Sequence, residues 1–210
     1  MALTLPPAVL SAALTELGGF EVNAAFVWMN YSGTVWRLVG AGGSLFLKRN
    51  EHLTDERDRL VWLHGRLPVP ELVGLYSAQG DDWLLTRAIS GVPLSDKSID
   101  WEPRDVARFL GETLRRIHDT DASGCPFGDG SVLIHGDFCL PNVLVESGRL
   151  AGIVDVGRSG LGDPHVDLGA AIWTLQYNFK VGYARDFLDA YEAEPMSDQE
   201  IERLRRTYAD

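Results

Sequence analysis

The pattern of apolar and polar positions divides the chain into a strand-rich first part and a helix-rich second part. The first part opens with helical spacing over 10–17, which stops at Gly18-Gly19, and a second helix is predicted over 53–67. Runs of aliphatic, aromatic and β-branched residues predict the strands there, and glycine-rich turns separate them. These predicted strands cover 20–29, 34–39, 44–48, 72–77 and 83–88.

Helical spacing dominates after position 88. Positions 103–118 carry a single apolar stripe, with Asp100 as the predicted N-cap, and further helices are predicted over 168–175 and 181–190. Ser197 followed three positions later by Glu200 predicts a capping box at the start of a last helix. The stripe of 103–118 is therefore expected to be core rather than a ligand site.

Composition narrows the class of protein. The chain has 210 residues, 45% of them hydrophobic, 23% charged, and a formal net charge of −11. Such a charge argues against a nucleic-acid partner and is compatible with a cationic ligand, although solubility alone would also account for most of these charges. Two cysteines do not make a disulfide framework or a zinc pattern.

Targeting signals are not evident in the sequence. No apolar run approaches the ~18 residues of a membrane span. The first residues lack a basic region, and Glu16 interrupts their apolar stretch, so a signal peptide is not expected. A cytoplasmic protein without a membrane partner is the expectation.

Candidate chemistry is concentrated in 132–158, where three polar residues stand at fixed spacing. Asp137 is followed five positions later by Asn142, and Asp155 comes thirteen positions after that. A short buried strand is predicted over 132–134, and a hairpin of strands 143–145 and 150–154 would return Asp155 to Asn142. A carboxylate and an amide oxygen then converge, with a second carboxylate on the adjoining loop.

Oxygen ligands of this kind suit Mg²⁺, which is usually held by one or two protein ligands together with substrate phosphates. Protein kinases have the same layout, with a catalytic-loop Asp, an Asn five positions later and a second Asp beyond a hairpin. Asp and Asn also favour turns for purely local reasons. The combination of all three, rather than any one of them, supports a phosphoryl-transfer site.

HGDFCLPN at 135–142 and VDVGRSGLGDPHVDLG at 154–169 closely resemble motifs of the aminoglycoside 3′-phosphotransferases, a branch of the aminoglycoside/choline kinase family. The resemblance covers nearly the whole chain. It implies an α+β, protein-kinase-like two-lobe fold, with an antiparallel-sheet nucleotide-binding lobe over 1–88 and a mainly helical catalytic lobe over 89–210. It also implies ATP and Mg²⁺ as cofactors, an aminoglycoside as the cationic small-molecule partner, and a monomer or weak dimer.

The resemblance assigns roles to individual residues. Asp137 would orient the acceptor hydroxyl, while Asn142 and Asp155 would hold Mg²⁺. Lys48 would contact the α- and β-phosphates and pair with Glu56, although Glu51 and Asp55 lie close enough in sequence to compete. Further nucleotide contacts are expected from the phosphate-covering loop and from the backbone after the last predicted strand: Ser32, Gly33, Thr86 and Ala88.

Substrate contacts are less clear from the sequence. Arg158, Asp163 and Asp210 are candidates, and Asp167 is expected to stabilise the catalytic loop by hydrogen bonds. His118 matches a family histidine and is expected to be structural.

The chain departs from the family because Cys125-Pro126-Phe127 runs almost directly into 132–134, so most of a helical, substrate-binding segment is absent. Two alternatives therefore stay open. One is a kinase of another small amino sugar or alcohol. The other is a catalytically silent nucleotide-binding module.

Overall fold

This computed structural model describes residues 3–30, 33–180 and 182–209. Contacts divide the chain into two compact units. The first runs up to His64 and includes Val69–Ile89, and the second comprises Gly65–Pro68 and the chain from Ser90 onwards. Within the described residues, no helix is both long enough and apolar enough to cross a membrane.

The first unit is built on an antiparallel sheet, whose described strands lie in the order β1-β2-β3-β5-β4. Its elements are α1 (Pro7–Leu17), β1 (Phe20–Asn30), β2 (Gly33–Gly40), β3 (Gly43–Asn50), α2 (Thr54–Leu63), β4 (Leu72–Ala78) and β5 (Asp81–Arg87). Alternation along β3 directs Leu45 and Leu47 into the core, where they pack with Val9 and Leu17 of α1. The order of strands makes β3, which carries Lys48, an interior strand.

The second unit is mainly helical, with short strands around the chemical motifs. Its elements are β6 (Val92–Pro93), α3 (Pro103–His118), β7 (Val132–Ile134), the 3₁₀ turn Leu140–Asn142, β8 (Val143–Glu146), β9 (Arg149–Ile153), β10 (Gly160–Gly162), α4 (His165–Phe179), α5 (Ala184–Tyr191) and α6 (Asp198–Ala209). Helices α3 and α5 approach closely at Gly111, where a Cβ would lie 2.4 Å from the carbonyl oxygen of Phe187. The α+β class and the change from sheet to helices agree with the sequence.

Three local predictions are wrong. The helix predicted over 53–67 ends at Leu63, because His64 is extended and Gly65 has a φ of +78°. The helical spacing over 53–67 also predicts Val61 as a buried position, but Val61 is 58% exposed. Glu102 rather than Asp100 stands at the N-cap of α3, and no side chain caps this helix, whose first position is Pro103.

Candidate active site

Lys48 and Glu56 form an ion pair within the first unit. The Lys48 Nζ lies 2.6 Å from Glu56 Oε2, and both side chains are only 12% exposed. Of the two competing acids, Glu51 is exposed and Asp55 is 88% exposed, 3.9 Å from Arg59. The predicted choice of Glu56 as the partner of Lys48 is therefore confirmed. The pair fixes a largely buried cation near the end of β3.

The other predicted nucleotide contacts of this unit have clear local environments. Gly33 begins β2 with a φ of +116°, and a Cβ there would lie 2.1 Å from Arg49 O, so the sheet itself requires glycine. Thr86 is buried in β5, between Phe46 and Leu72 of the neighbouring strands. The Ala88 N–H donates to Ser44 O at 3.0 Å, just after the end of β5. Ser32 lies outside the described residues.

In the second unit, a buried carboxylate shapes the turn that carries Asp137. Asp167 is fully buried and accepts hydrogen bonds from the backbone N–H groups of His135 at 2.6 Å and Gly136 at 2.8 Å. Gly136 has a φ of +84°, and a Cβ there would lie 2.6 Å from Arg158 O. The predicted support of the catalytic loop by Asp167 is confirmed.

His118 and His135 have structural partners. His118 is buried, with Nε2 3.2 Å from Asp167 Oδ2 and Nδ1 2.8 Å from the Tyr191 hydroxyl, as expected for a structural histidine. His135 Nδ1 accepts from the Asp137 N–H at 3.2 Å, so Nε2 carries the proton and donates to Val154 O at 3.0 Å. His135 thus connects the turn to the segment just before Asp155.

Asn142 is hydrogen-bonded to the backbone of Asp137 and to the backbone of Val154, the residue before Asp155. Its side-chain Nδ2 donates to the Asp137 carbonyl at 2.9 Å, and its own carbonyl accepts from the Val154 N–H at 3.0 Å. The β8–β9 hairpin pairs Val143 with Ile153 and so returns the chain to this point. Asp155 follows with a φ of +58°, a conformation that is uncommon for residues other than glycine and that clusters at functional sites.

The side-chain oxygens of Asn142 and Asp155 are chemically suited to bind Mg²⁺. Since Asn142 uses its Nδ2 on Asp137, its amide oxygen is the atom left to ligate a cation, and Asp155 supplies a carboxylate. Both are hard oxygen ligands, as Mg²⁺ requires. Within the described residues, no group of three or more His, Cys, Asp or Glu side chains could hold a metal ion by itself. One carboxylate and one amide match an ion that takes its remaining ligands from phosphates and water.

The model of the phosphotransferase enzyme family, APH, matches residues 24–131 and 129–205 of this chain. The chain belongs to this family.

Named relatives are similar over most of their length. The aminoglycoside 3′-phosphotransferase of Streptomyces ribosidificus is 30% identical over 229 residues, which covers 80% of this chain and 87% of the relative. That of Niallia circulans is 26% identical over 198 residues, or 71% of this chain and 75% of the relative. The crystal structure of aminoglycoside-3′-phosphotransferase of type VIII has a TM-score of 0.75 and 25% identity, covering 94% of this chain and 96% of that one.

The family match breaks where the sequence lacks a segment. Its two matched ranges meet at 129–131, and the Streptomyces ribosidificus alignment is longer than this chain, so it includes residues that this chain lacks. The short connection is well packed here. Gly128 has a φ of +72°, and a Cβ there would lie 2.2 Å from Leu161 O, while Leu161 N donates to Phe127 O at 2.8 Å.

The predicted substrate contacts are on the surface of the second unit. Arg158 is exposed and lies in the turn that is closed by the hydrogen bond from the Ser159 N–H to Val156 O. Asp163 is also exposed, and its Oδ1 accepts a hydrogen bond at 2.9 Å from the N–H of His165, the first residue of α4. Asp210 lies outside the described residues. Arg158 and Asp163 therefore stay predicted substrate contacts.

Sequence reasoning missed Tyr208 of α6. Its hydroxyl donates to Asp137 Oδ1 and lies 3.3 Å from the Cys139 sulfur, which itself lies 3.6 Å from the same carboxylate oxygen. Cys139, which the sequence indicates only as a packing or loop residue, therefore takes part in this contact. Tyr208 stands 71 positions from Asp137, and no local spacing in the sequence links the two.

Proposed function

We propose that this phosphotransferase-family protein transfers the γ-phosphoryl group of ATP to a hydroxyl group of an aminoglycoside. The observation that carries the proposal is the position of Asn142. Its side-chain amide donates to the backbone carbonyl of Asp137, and its backbone carbonyl accepts from the N–H of Val154, the residue before Asp155. The names of the relatives support the aminoglycoside acceptor. An aminoglycoside phosphotransferase, APH(4)-Ia, whose structure was solved as a ternary complex with AMP-PNP and hygromycin B, shares the fold, with a TM-score of 0.68 and 17% identity.

Asp137 acts on the acceptor in this mechanism. Its carboxylate accepts the hydrogen bond of the attacking hydroxyl and takes the proton as the oxygen–phosphorus bond forms. The bond from the γ-phosphorus to the bridging oxygen breaks, and ADP leaves with the electron pair. Because the transition state of such transfers is loose in most analyses, the position of Asp137 matters more than its strength as a base.

Two groups of residues bind the donor side of the reaction. Asn142 and Asp155 would hold Mg²⁺, which when bound neutralises phosphate charge. Lys48 binds the α- and β-phosphates, and Glu56 keeps its ammonium group in place. Ser32 and Gly33 would contact the phosphates, and the backbone of Thr86 and Ala88 would contact the adenine edge.

A smaller amino sugar or another small alcohol is a second candidate acceptor, favoured by the packed short connection at Gly128. The resemblance implies that the family segment missing there forms part of the drug-binding site. In either case, Arg158, Asp163 and Asp210 are the candidate substrate contacts. The acidic net charge of −11 suits a cationic acceptor of either size.

A coupled ADP-release assay with ATP and Mg²⁺ tests the proposal. Kanamycin, neomycin and simple amino sugars serve as acceptors, and Asp137→Asn is the matched variant. Turnover that depends on an aminoglycoside and disappears in Asp137→Asn supports the main proposal. Turnover restricted to simple amino sugars selects the second candidate. ATP binding without turnover on any acceptor contradicts both and leaves a silent nucleotide-binding module.

A further inference from the structure

The hydrogen-bonding groups of Asp137 are nearly all engaged within the second unit. Its N–H donates to His135 Nδ1 at 3.2 Å, and its carbonyl accepts from Asn142 Nδ2 and from the Cys139 N–H, each at 2.9 Å. Its Oδ1 receives the Tyr208 hydroxyl and lies within reach of the Cys139 thiol. Its Oδ2 accepts no hydrogen bond from any residue that the structure describes.

Both side chains at Oδ1 are placed as hydrogen-bond donors, since the Tyr208 hydroxyl and the Cys139 thiol each direct a proton toward this oxygen. Burial, followed by the hydrogen bond to the Asp137 carboxylate, raises the pKa of the Tyr208 phenol above its usual value, so the phenol keeps its proton.

Helix packing fixes the Tyr208 hydroxyl in its position. Helix α6 lies close against α4, because a Cβ on Gly169 would be 2.6 Å from Leu204 O. The Tyr208 ring contacts the Trp173 ring of α4, with centroids 5.5 Å apart and planes at 56°. The phenol is half-buried there. The packing of α6 against α4 therefore fixes the position of the Tyr208 side chain.

We propose that Tyr208 is a positioning residue, which holds Oδ1 of Asp137 so that Oδ2 faces the acceptor hydroxyl. This inference rests on the proposed function, because it assigns the acceptor to one oxygen of the same carboxylate. An ionised carboxylate has several acceptor sites, so one donor on Oδ1 leaves Oδ2 able to bind a second hydroxyl. Loss of the phenol would let the carboxylate rotate away from its productive orientation.

Tyr208→Phe tests this role because it keeps the ring on Trp173 and removes only the donor. Tyr177→Phe is the matched control, since Tyr177 stacks on the same Trp173 ring at 5.2 Å but is 76% exposed. Misplacement of a catalytic group should lower kcat by about tenfold to a hundredfold in Tyr208→Phe. KM for ATP and for the acceptor should stay within about twofold, because ground-state binding is unaffected. Tyr177→Phe should match the wild type.

Other kinetic outcomes overturn the proposal in distinguishable ways. A higher kcat/KM in Tyr208→Phe would show that the phenol obstructs the acceptor, and unchanged kinetics would show that the phenol has no role.

Intact-mass measurement of the protein after incubation with ATP and Mg²⁺ tests a third outcome. A phosphoryl group gained by the wild type and not by Tyr208→Phe would make the phenol itself an acceptor. A wild type without any turnover would overturn the proposed function, and this role with it.

Discussion

Among individual residues, Asp167 shows how one buried carboxylate organises the candidate site. It accepts two backbone N–H groups at the His135-Gly136 turn and lies 3.2 Å from His118 Nε2. A buried acceptor with three partners is costly to disturb, because each donor left unpaired keeps its full desolvation penalty. Asp167 therefore holds the backbone turn that places Asp137.

Asp167→Asn is expected to lower the free energy of unfolding by about 2–4 kcal/mol. The substitution replaces one carboxylate oxygen by an NH₂ group, which cannot accept the hydrogen bond of a backbone N–H. Urea unfolding followed by circular dichroism measures the change. Asp189→Asn, the same replacement at an exposed position of α5, is the control. Equal unfolding midpoints for the two variants would contradict the structural role given to Asp167.

The Lys48–Glu56 pair gives a second prediction for single residues. Glu56→Gln should lower kcat/KM for ATP by about tenfold to a hundredfold, because Lys48 loses the charge that orients it. Asp55→Asn removes a neighbouring carboxylate that is 88% exposed and should leave kcat/KM unchanged. Steady-state kinetics with varied ATP compares them. Similar values for both variants would show that the ion pair has no part in nucleotide binding.

The sequence was most informative where the residues of the site are close along the chain. Asp137, Asn142 and Asp155 lie within 19 positions, and a single predictable hairpin joins them. Tyr208 was missed because its contact with Asp137 depends on how α6 packs against α4, which no local pattern encodes. Contacts set by helix packing are beyond a reading of spacing alone.

Among the elements, α6 is stabilised by local charge and capping. The predicted capping box is present, since Glu200 Oε2 accepts from the Ser197 N–H at 2.7 Å and Ser197 Oγ accepts from the Glu200 N–H at 3.3 Å. Hydrogen bonds from Arg205 and then Arg206 lower the pKa of Glu202 from 4.5 to about 2. These local interactions stabilise the helix that carries Tyr208.

The Glu202 interactions predict a pH dependence for stability. A carboxyl group whose pKa falls on folding stabilises the protein fully above its unfolded value, and this contribution disappears as pH falls through the folded value. The stability difference between wild type and Glu202→Gln should therefore be constant above pH 4.5 and shrink toward pH 2. Urea midpoints measured across this range, with Glu194→Gln as an exposed control, test it. A difference that grows as the pH falls would contradict the assignment.

Element boundaries followed the sequence best where a stop or start signal was strong. The bounds of α3, Pro103–His118, agree with the prediction because proline occupies the first helical position and an apolar stripe runs to Ile117. Gly18, in a left-handed conformation, ends α1 as predicted. Helix α2 ended early because Gly65 outweighed the helical spacing of the residues after Leu63.

At the scale of the whole molecule, family membership and local geometry support the same chemistry. The family match extends over 24–131 and 129–205. The first unit holds the Lys48–Glu56 ion pair, and the second unit holds the turn with Asp137 and its hydrogen bond from Asn142. The two matched ranges meet at the short connection 128–131, and this connection is the feature that bears on the size of the acceptor.

The most direct test of the central claim is the mass of the acceptor after reaction. Kanamycin incubated with the wild-type protein, ATP and Mg²⁺ should gain the mass of one phosphoryl group, and Asp137→Asn should leave kanamycin unmodified. Phosphorylated kanamycin from Asp137→Asn at the wild-type rate would contradict the role of Asp137. ADP release by the wild type with kanamycin unmodified would contradict the aminoglycoside as acceptor.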